Sequence, residues 1–265
     1  EKGGETPRGV HALRVLANRR DFTLESLRDA AYDTWLPAFA ELLPPLCRAF
    51  DRLPQGHALR LKLGPEVETL RAWDCRWSVT SVPTALAVFW GDELWRRATP
   101  AAKAADMGVY DYLVARTTGE EMLAALSASA DTLAARFGTW KTAWGEVNRF
   151  QRLTDDIVHP FNDSGASIPV GFTSARWGSL ASFAARSDEG TKRLYGTSGN
   201  SFVAVVEFGD SVRAIAITAG GESGDTRSPH FNDQAHRYST GDLRDVYFYP
   251  SQLKGHAERK YHPGH

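Results

Sequence analysis

Apolar side chains recur every three or four positions across residues 9–137 of the chain. This period is that of one face of an α-helix, so the first half of the chain is predicted to be mainly helical. The first such stripe is short and consists of Val10, Leu13, Leu16 and Ala17.

Several residues mark where these helices start and stop. Thr23 precedes an apolar stretch, and its hydroxyl is expected to cap the helix that follows. Pro37 is placed to open the next helix at its first turn. A backbone N–H there has no partner within the helix, so the N–H that proline lacks costs no helical hydrogen bond. That helix is predicted to stop at Pro54, and Pro44 and Pro45 are expected to bend or split it.

Three more segments carry the helical period. Residues 82–95 are the most apolar of them, and residues 120–137 form an amphipathic helix that is predicted to end at Gly138. Within residues 65–77 the helical positions are occupied by large side chains, namely Val67, Leu70, Trp73 and Trp77.

The composition changes beyond Trp144, where Gly, Ser, Pro, Asn and Asp become frequent. Such a composition is typical of loops, and residues 159–168 and 187–199 are predicted to be loops. The shift divides the chain into a mainly helical segment, residues 1–145, and a loop-rich segment, residues 146–265.

Strand patterns appear near the end of the second segment. Residues 201–208 and 212–219 are rich in β-branched residues, and Gly209 and Asp210 lie between them, so a β-hairpin is predicted. Residues 246–249 are predicted to add another strand. An isolated hairpin is only marginally stable, so further strands of its sheet are expected outside these residues. The fold class is therefore predicted to be α+β.

Charge and cysteine content exclude several classes of function. The 31 Lys and Arg nearly balance the 32 Asp and Glu, which argues against a nucleic acid or an anionic membrane as partner. No run approaches the roughly 20 apolar residues that cross a bilayer. Cys47 and Cys75 have no CxxC spacing, which excludes a zinc cage and a disulfide-built scaffold but leaves a single bridge open.

The residues by themselves offer few candidate sites. Ser228, His230 and Asp233 are the residue types of a hydrolytic triad, but residues so close in one loop rarely reach triad geometry. Three histidines near the end could bind a metal, although a terminal segment with Gly and Pro is more often frayed: His256, His262 and His265. The common motifs of serine hydrolases, zinc proteases and nucleotide-binding proteins are absent from the sequence.

Four longer segments resemble the penicillin acylase family, and together they cover nearly the whole chain. They are TSGNSFVAVVEFGDSVRAIAITAGGESGDTRSPHFNDQ at residues 197–234, RAWDCRWSVTSVPTALAVFW at 71–90, TAWGEVNRFQR at 142–152 and GGETPRGVHALRVLANRRDFTLESLRDAAYD at 3–33. The likeness is greatest to acylases of acyl-homoserine lactones, of cyclic lipopeptides such as aculeacin, and of cephalosporins. It identifies the chain with the C-terminal part of the large, or β, subunit.

The resemblance implies an N-terminal nucleophile hydrolase with an αββα sandwich. In that family a precursor cuts itself and exposes a serine, whose own α-amino group takes the hydroxyl proton; a free amine suits this task because its ordinary pKa is about 7.7 to 8.0. The first residue here is Glu1, which is no equivalent nucleophile. The serine, the histidine near it and the oxyanion donors are expected to lie upstream, in a longer protein from which this chain is cut, so these residues alone are predicted to be inactive.

Two residues are carried over from the family as candidate catalytic residues. Arg8 matches the active-site arginine that follows the oxyanion asparagine, and its planar guanidinium offers fixed donors that a lysine lacks. Glu207 matches the glutamate that orients the histidine beside the nucleophile in the cephalosporin acylase branch. Alternation along the strand could instead place Glu207 on the solvent face. His230 and Asp233, in the family's SPHFNDQ-like signature, are interpreted as structural.

The resemblance also suggests partners and a location. The expected partners are a small α subunit, the N-terminal part of the β subunit and a small acyl amide substrate, in the periplasm or outside the cell. Many relatives bind calcium, but no acidic cluster of this chain is assigned to it, so no cofactor is expected in these residues. The alternative interpretation is a non-catalytic binding or scaffolding domain that keeps the acylase fold.

Overall fold

The helices fill the first half of the chain, as the apolar period predicted. The structure is a computed structural model that describes residues 5–156, 158–259 and 262. In chain order its helices are α1 Pro7–Leu16, α2 Leu24–Ala31, α3 Pro37–Asp51, α4 Ala58–Arg71, α5 Val82–Ala104, α6 Val109–Arg116, α7 Gly119–Phe137, α8 Trp144–Val147 and α9 Ala235–Thr240. None of the helices in these ranges is long and apolar enough to cross a membrane.

A side-chain cap starts α2 where the sequence indicated. The Thr23 hydroxyl accepts from the backbone N–H of Ser26, and the Ser26 hydroxyl accepts in return from the N–H of Thr23. Thr118 and Glu121 form the same reciprocal pair at the start of α7. At its other end α7 stops at Gly138, whose φ of 83° lies in the left-handed region.

Two predicted helix boundaries were wrong. The α3 helix continues through Pro44 and Pro45 instead of splitting, because its apolar face is buried before and after the two prolines and this burial offsets the lost backbone hydrogen bonds. The α4 helix begins at Ala58 instead of residue 65, capped by the imidazole of His57, which accepts from the N–H of Leu59. Trp73 and Trp77 therefore lie beyond its end.

Helices α3 to α7 pack around one hydrophobic core. Its largest fully buried side chains include Phe39, Trp90, Trp144 and Trp177. The Phe39 and Trp177 rings lie 5.0 Å apart between centroids, so this core extends into the second half of the chain. Cys47, at its border, and the buried Cys75 are free thiols, which answers the question of a bridge.

The strands of the second half form two sheets. They are β1 Asn148–Phe150, β2 Ile168–Pro169, β3 Phe183–Arg186, β4 Leu194–Gly199, β5 Phe202–Glu207, β6 Arg213–Thr218 and β7 Arg244–Asp245. One sheet has the order β2-β1-β4-β3 and the other β5-β6-β7. The mixed helical and sheet class is confirmed, whereas the complete αββα sandwich stays a prediction.

The predicted hairpin is confirmed as the antiparallel pair β5 and β6, in register from Phe202 opposite Thr218 to Glu207 opposite Arg213. Two other strand predictions were wrong. Residues 194–199 form β4 instead of a loop, and residues 246–249 form no strand, since the pairing of β7 with β6 ends at Asp245. Both outcomes depend on partners distant in the chain.

A second core lies between α2 and the sheets. It is built from side chains that include Leu24, Phe172, Val205, Ile217 and Tyr238. Trp77 connects the two cores, because its ring packs edge-on against Phe172 with centroids 5.8 Å apart. The same ring leaves no room for a side chain at Gly171, where an added Cβ would lie 2.4 Å from it.

The apolar stripe of α1 faces solvent. An apolar helix face normally packs on a core, yet Val10, Leu13 and Leu16 are exposed, and Leu13 keeps 63% of its surface. The buried residues of α1 are Pro7 and His11. The helix is thus attached by its polar side, and its apolar side is left uncovered in this structure.

Candidate functional site

Arg8 stands at the start of α1, where the local sequence fixes its direction. The Thr6 hydroxyl accepts from the N–H of Gly9, and Pro7 occupies the first turn. One guanidinium nitrogen of Arg8, Nη2, donates to the carbonyl of Leu180 at 2.6 Å and to Oδ1 of Asn200 at 3.4 Å. Nη1 and Nε make no hydrogen bond to the described residues, so these two groups can donate to a further partner.

Asn200 is itself held at the junction of the two sheets, between β4 and β5. Its Oδ1 accepts from the N–H of Ser182 at 2.9 Å and from the hydroxyl of Ser182 at 3.2 Å. The hydroxyl of Tyr238 donates to the backbone carbonyl of Asn200, and burial raises the pKa of Tyr238, which keeps that donor protonated. Asn200 is therefore a fixed acceptor for Arg8.

An open groove begins beside Arg8 and runs between α1, α2 and β5. We call it the α1–β5 groove; its volume is about 280 Å³. Its lining is mostly apolar, with Ala12, Val15, Leu27, Val203 and Val205 among its residues. An apolar cleft with one cation at its border can hold an apolar group and present donors to a polar group attached to it.

Tyr32 adds a polar group to the wall of the groove. Its hydroxyl donates to the backbone carbonyl of Tyr238 at 3.2 Å. Burial raises the pKa of Tyr32 to about 12, so the phenol stays neutral at physiological pH. Tyr32 is therefore a structural donor in the wall and not a base.

A partly buried polar cluster lies one turn further along α1, around the fully buried His11. His11 Nδ1 is 2.7 Å from the carbonyl oxygen of Gly178, and Nε2 is 2.9 Å from Asp33 Oδ1. Asp33 also pairs with Arg76 at 3.1 Å. Burial of the Asp33 carboxyl raises its pKa, but hydrogen bonds from the Trp35 N–H, His11 and Arg76 outweigh burial and bring the pKa below its ordinary value.

Glu207 lies at the end of β5 and does not meet Arg8. Strand alternation puts it on the face of Val203 and Val205, both of which line the groove, and not on the outer face of Phe202 and Val206. It is nevertheless exposed, and its Oε2 accepts from Arg213 Nη1 at 3.2 Å across the hairpin. The structure therefore places Glu207 at the open end of the groove face.

The loop candidates do not form a triad. The imidazole of His230 contacts Asp233 through Nδ1 at 2.9 Å and Glu258 through Nε2 at 3.1 Å, and both raise the pKa of His230. The Ser228 hydroxyl accepts from the backbone N–H of His230 instead of contacting the ring. No hydroxyl is activated by such an arrangement.

The terminal histidines do not form a metal site in the part of the chain that the structure describes. His256 contacts the hydroxyl of Tyr247, and His265 lies outside the described residues. In residues 5–156, 158–259 and 262 no group of three His, Cys, Asp or Glu side chains is placed to hold a metal ion.

The face that carries the groove is uncovered and apolar. Leu16 of the exposed α1 stripe lines the groove, and on the opposite face of β5 Phe202 keeps 59% of its surface, while Phe208, just past the strand, keeps 85%. The β5 strand is an edge of its sheet. Because the N–H of Ala219 donates to the carbonyl of Ser201, alternation turns the main-chain groups of 202, 204 and 206 away from β6. The groove is thus bordered by a free strand edge.

Sequence reasoning missed Asn200, His11 and Asp33. His11 stands between Val10 and Ala12 in a mostly apolar segment, which is a weak signal, and nothing in the pattern around Asn200 distinguishes it from a turn residue. Their partners lie up to 192 positions away, so no local pattern could identify them.

Comparison with known proteins agrees with these observations. The family model of penicillin amidase matches residues 2–255. Among solved structures, a thermostable penicillin G acylase from Alcaligenes faecalis has a similar fold, with a TM-score of 0.52 at 14% identity. That match covers 96% of this chain and 52% of the acylase chain, so this chain spans about half the length of that relative. A search of curated protein sequences found no match. By the family model, the chain belongs to the penicillin amidase family.

Proposed function

We propose that these residues are the C-terminal part of the β subunit of an amidohydrolase that cleaves the amide bond of an N-acylated substrate. The observation that carries the proposal is the placement of Arg8, whose Nη1 and Nε make no hydrogen bond to the described residues, at the border of an apolar groove on an uncovered face. Family membership and the span of about half an acylase chain support it.

The reaction is acyl transfer through a serine that lies outside these residues. The serine hydroxyl gives its proton to the free α-amino group of the same residue, and its oxygen attacks the amide carbonyl. The carbon–nitrogen bond breaks, the amine leaves with a proton, and water then hydrolyses the acyl-enzyme ester. Arg8 would hold polar groups beside that serine through its Nη1 and Nε donors.

The groove forms one wall of the acyl pocket in this proposal. Its volume of about 280 Å³ is slightly below the roughly 300 to 1,000 Å³ of complete small-molecule pockets, which fits a pocket that another part of the protein completes. Its lining favours a hydrophobic acyl chain. Acyl-homoserine lactones, lipopeptides and acylated β-lactams all carry an acyl group on an amide nitrogen.

Glu207 is proposed to orient the histidine beside the nucleophile. Glu207 shares a strand face with two groove residues. It forms an exposed ion pair with Arg213, and such a pair contributes less than about 1 kcal/mol to stability. A histidine from the rest of the protein can therefore replace Arg213 at little cost.

The remaining proposals concern partner, location and metal. They are a small α subunit as partner, a periplasmic or secreted location, and calcium, where it occurs, bound by other parts of the complete enzyme.

The test is to express the complete gene product and identify its mature chains. We expect N-terminal sequencing to find a chain that begins with serine, and we expect that protein to release the amine from a chromogenic acyl amide. The 265-residue chain alone should show no turnover above background, since in this proposal the serine and the oxyanion donors belong to another part of the protein. A mature protein with no N-terminal serine and no turnover would instead indicate a binding or scaffolding domain.

A further inference from the structure

Two side chains of α1, one turn apart, hold the same loop. Arg8 donates to the carbonyl of Leu180, and His11 Nδ1 lies 2.7 Å from the carbonyl oxygen of Gly178. A carbonyl oxygen can only accept, so His11 donates through Nδ1. We call residues 177–181 the anchor loop. Arg8 and His11 are neighbours on one helix face, since residues three apart in a helix lie side by side.

The anchor loop is rigid on its other side. Trp177 is fully buried against Phe39, and Gly178 has a φ of +102°, with Pro37 so close that an added Cβ would lie 2.4 Å from it. The Ser179 hydroxyl donates to the carbonyl of Ala181, whose N–H donates to the carbonyl of Ala31. Because the anchor loop is held in place, a helix that is hydrogen-bonded to it is held in a fixed position as well.

The second nitrogen of His11 fixes the orientation of its ring. Nε2 contacts Asp33 Oδ1, and Asp33 is held by Arg76 and by the N–H of Trp35. The ring is fully buried and meets Trp35 edge-on at 5.5 Å between centroids. Rotation of the imidazole would break both contacts in a place that water does not reach.

Apolar packing supplies little of this restraint. Val10, Leu13 and Leu16 are exposed, Ala12 and Val15 are only partly buried at the open groove, and the buried residues of α1 are Pro7 and His11. On the inner side of the helix, its rotation about its own axis is therefore set mainly by the polar contacts of Arg8 and His11. Without the His11 tie, Arg8 would have to hold the loop alone.

From this arrangement we propose that His11 is a positioning residue that keeps the Arg8 guanidinium in place for catalysis. The inference rests on the proposed role of Arg8. His11 fixes the rotation of α1 against the anchor loop, so that Nη2 of Arg8 stays on the Leu180 carbonyl and Nη1 and Nε are presented to the reacting groups. A displacement of about 1 Å in such a group can cost about a hundredfold in rate.

The test uses the complete, processed enzyme and three substitutions at one position. His11→Leu removes both polar contacts, His11→Asn keeps a donor at the position of Nδ1, and His11→Gln keeps one at the position of Nε2. We expect His11→Leu to lower kcat at least tenfold with little change in KM. His11→Asn, which still reaches Gly178, should recover most of the rate, and His11→Gln should recover less.

Two controls separate positioning from folding. Burst titration of the serine counts correctly folded sites, so kcat is expressed per titrated site, which a merely structural role would leave unchanged. Arg14→Leu removes a cation of α1 that lies 4.0 Å over the Trp35 ring and that, among the described residues, makes no hydrogen bond to the anchor loop. It should leave kcat per site as it is.

A double-mutant cycle with Arg8→Lys decides whether His11 acts through Arg8. If it does, His11→Leu should lower kcat far less in the Arg8→Lys background than in the wild type. Equal losses in both backgrounds would overturn the positioning role. Unchanged kcat in Arg8→Lys itself would instead overturn the proposed function of Arg8. If the complete protein shows no turnover, crystal structures of the wild type, His11→Asn and His11→Leu still test the positioning role. Arg8 should leave the Leu180 carbonyl in His11→Leu and keep it in the other two.

Discussion

At the scale of single residues, the cation of Arg8 is held by neutral acceptors. Its partners are a backbone carbonyl and an amide oxygen, and no carboxylate of the described residues pairs with it. Its positive charge is therefore fixed in place without being neutralised. A fixed, unpaired cation suits a site where negative charge develops during reaction.

Replacing Arg8 by Lys should affect rate more than stability. Lys keeps the charge but loses the planar fork, so the contact with Leu180 and the free donors cannot be satisfied together. We expect turnover to fall roughly tenfold or more, about 1.4 kcal/mol in barrier, with an unchanged melting temperature. Steady-state kinetics and thermal melts of the complete enzyme measure both. Wild-type kinetics would mean that Arg8 is only a surface charge.

Asp33 should make stability depend on pH in one direction. Its pKa is lower in the folded protein than in the unfolded chain, so its contribution is full above the unfolded value of about 3.9 and is lost as pH falls through the folded value. Asp33→Asn should cost about 2 kcal/mol at pH 7, the scale of a hydrogen bond to a charged group.

Denaturant unfolding of the complete protein between pH 7 and pH 3 measures this difference. It should shrink below about pH 4, because the wild type then loses what the variant already lacks. Asp29→Asn, which removes an exposed pair with Arg28, is the matched control and should change little at any pH. A difference that grows on acidification would contradict the assignment.

At the scale of elements, helix ends are set locally and helix faces are not. The α7 helix begins at a reciprocal Thr118–Glu121 cap, one residue before the predicted start, and ends at a left-handed glycine that was predicted as its stop. The α1 helix has an equally clear cap at Thr6, but its apolar stripe faces solvent and its polar side faces the protein. The choice of face depends on what the rest of the molecule presents.

The end of α7 offers a test of backbone strain. Gly138→Ala should destabilise the protein by about 1 kcal/mol, because a Cβ disfavours the left-handed conformation. No atom lies within 4 Å of an added Cβ there, so the cost is conformational and not steric. Gly138→Asn is the control and should lose less, since Asn tolerates this conformation. Equal melting temperatures for wild type and Gly138→Ala would contradict the assignment.

At the scale of the whole molecule, two cores meet at Trp77 and one face stays open. That face contains the stripe of α1, the outer edge of β5 and the α1–β5 groove. Large exposed apolar surfaces and free strand edges lead to association. In the proposed enzyme the rest of the protein covers this face.

The isolated 265-residue chain should therefore aggregate or bind a hydrophobic dye. A monodisperse monomer that melts cooperatively would count against this.

In the complete protein, Leu13→Asp should reduce the yield of soluble, processed enzyme, because it places a charge in the covered face. Leu61→Asp is the control: Leu61 is 73% exposed on α4, away from that face, and its substitution should have no effect on yield.

The candidate site was predicted only in part. Arg8 was found through the family resemblance of its segment, and the groove face of Glu207 follows from strand alternation once β5 is placed. The ties of Arg8 and His11 to Leu180, Asn200 and Gly178 span more than 160 residues each. Contacts across such distances leave no periodic trace in the chain.

The sequence by itself determined the helical first half, the cap at Thr23, the stop at Gly138 and the hairpin of β5 and β6. All of these depend on hydrogen bonds and side-chain periods within about 20 residues, so local patterns carry them. Tertiary structure alone decided the sheet of β1 to β4, in which Arg149 lies opposite Tyr195, and the outward turn of the apolar face of α1. Strands of two to six residues are stable only when distant partners complete their hydrogen bonds, and a helix face is buried only where another surface meets it.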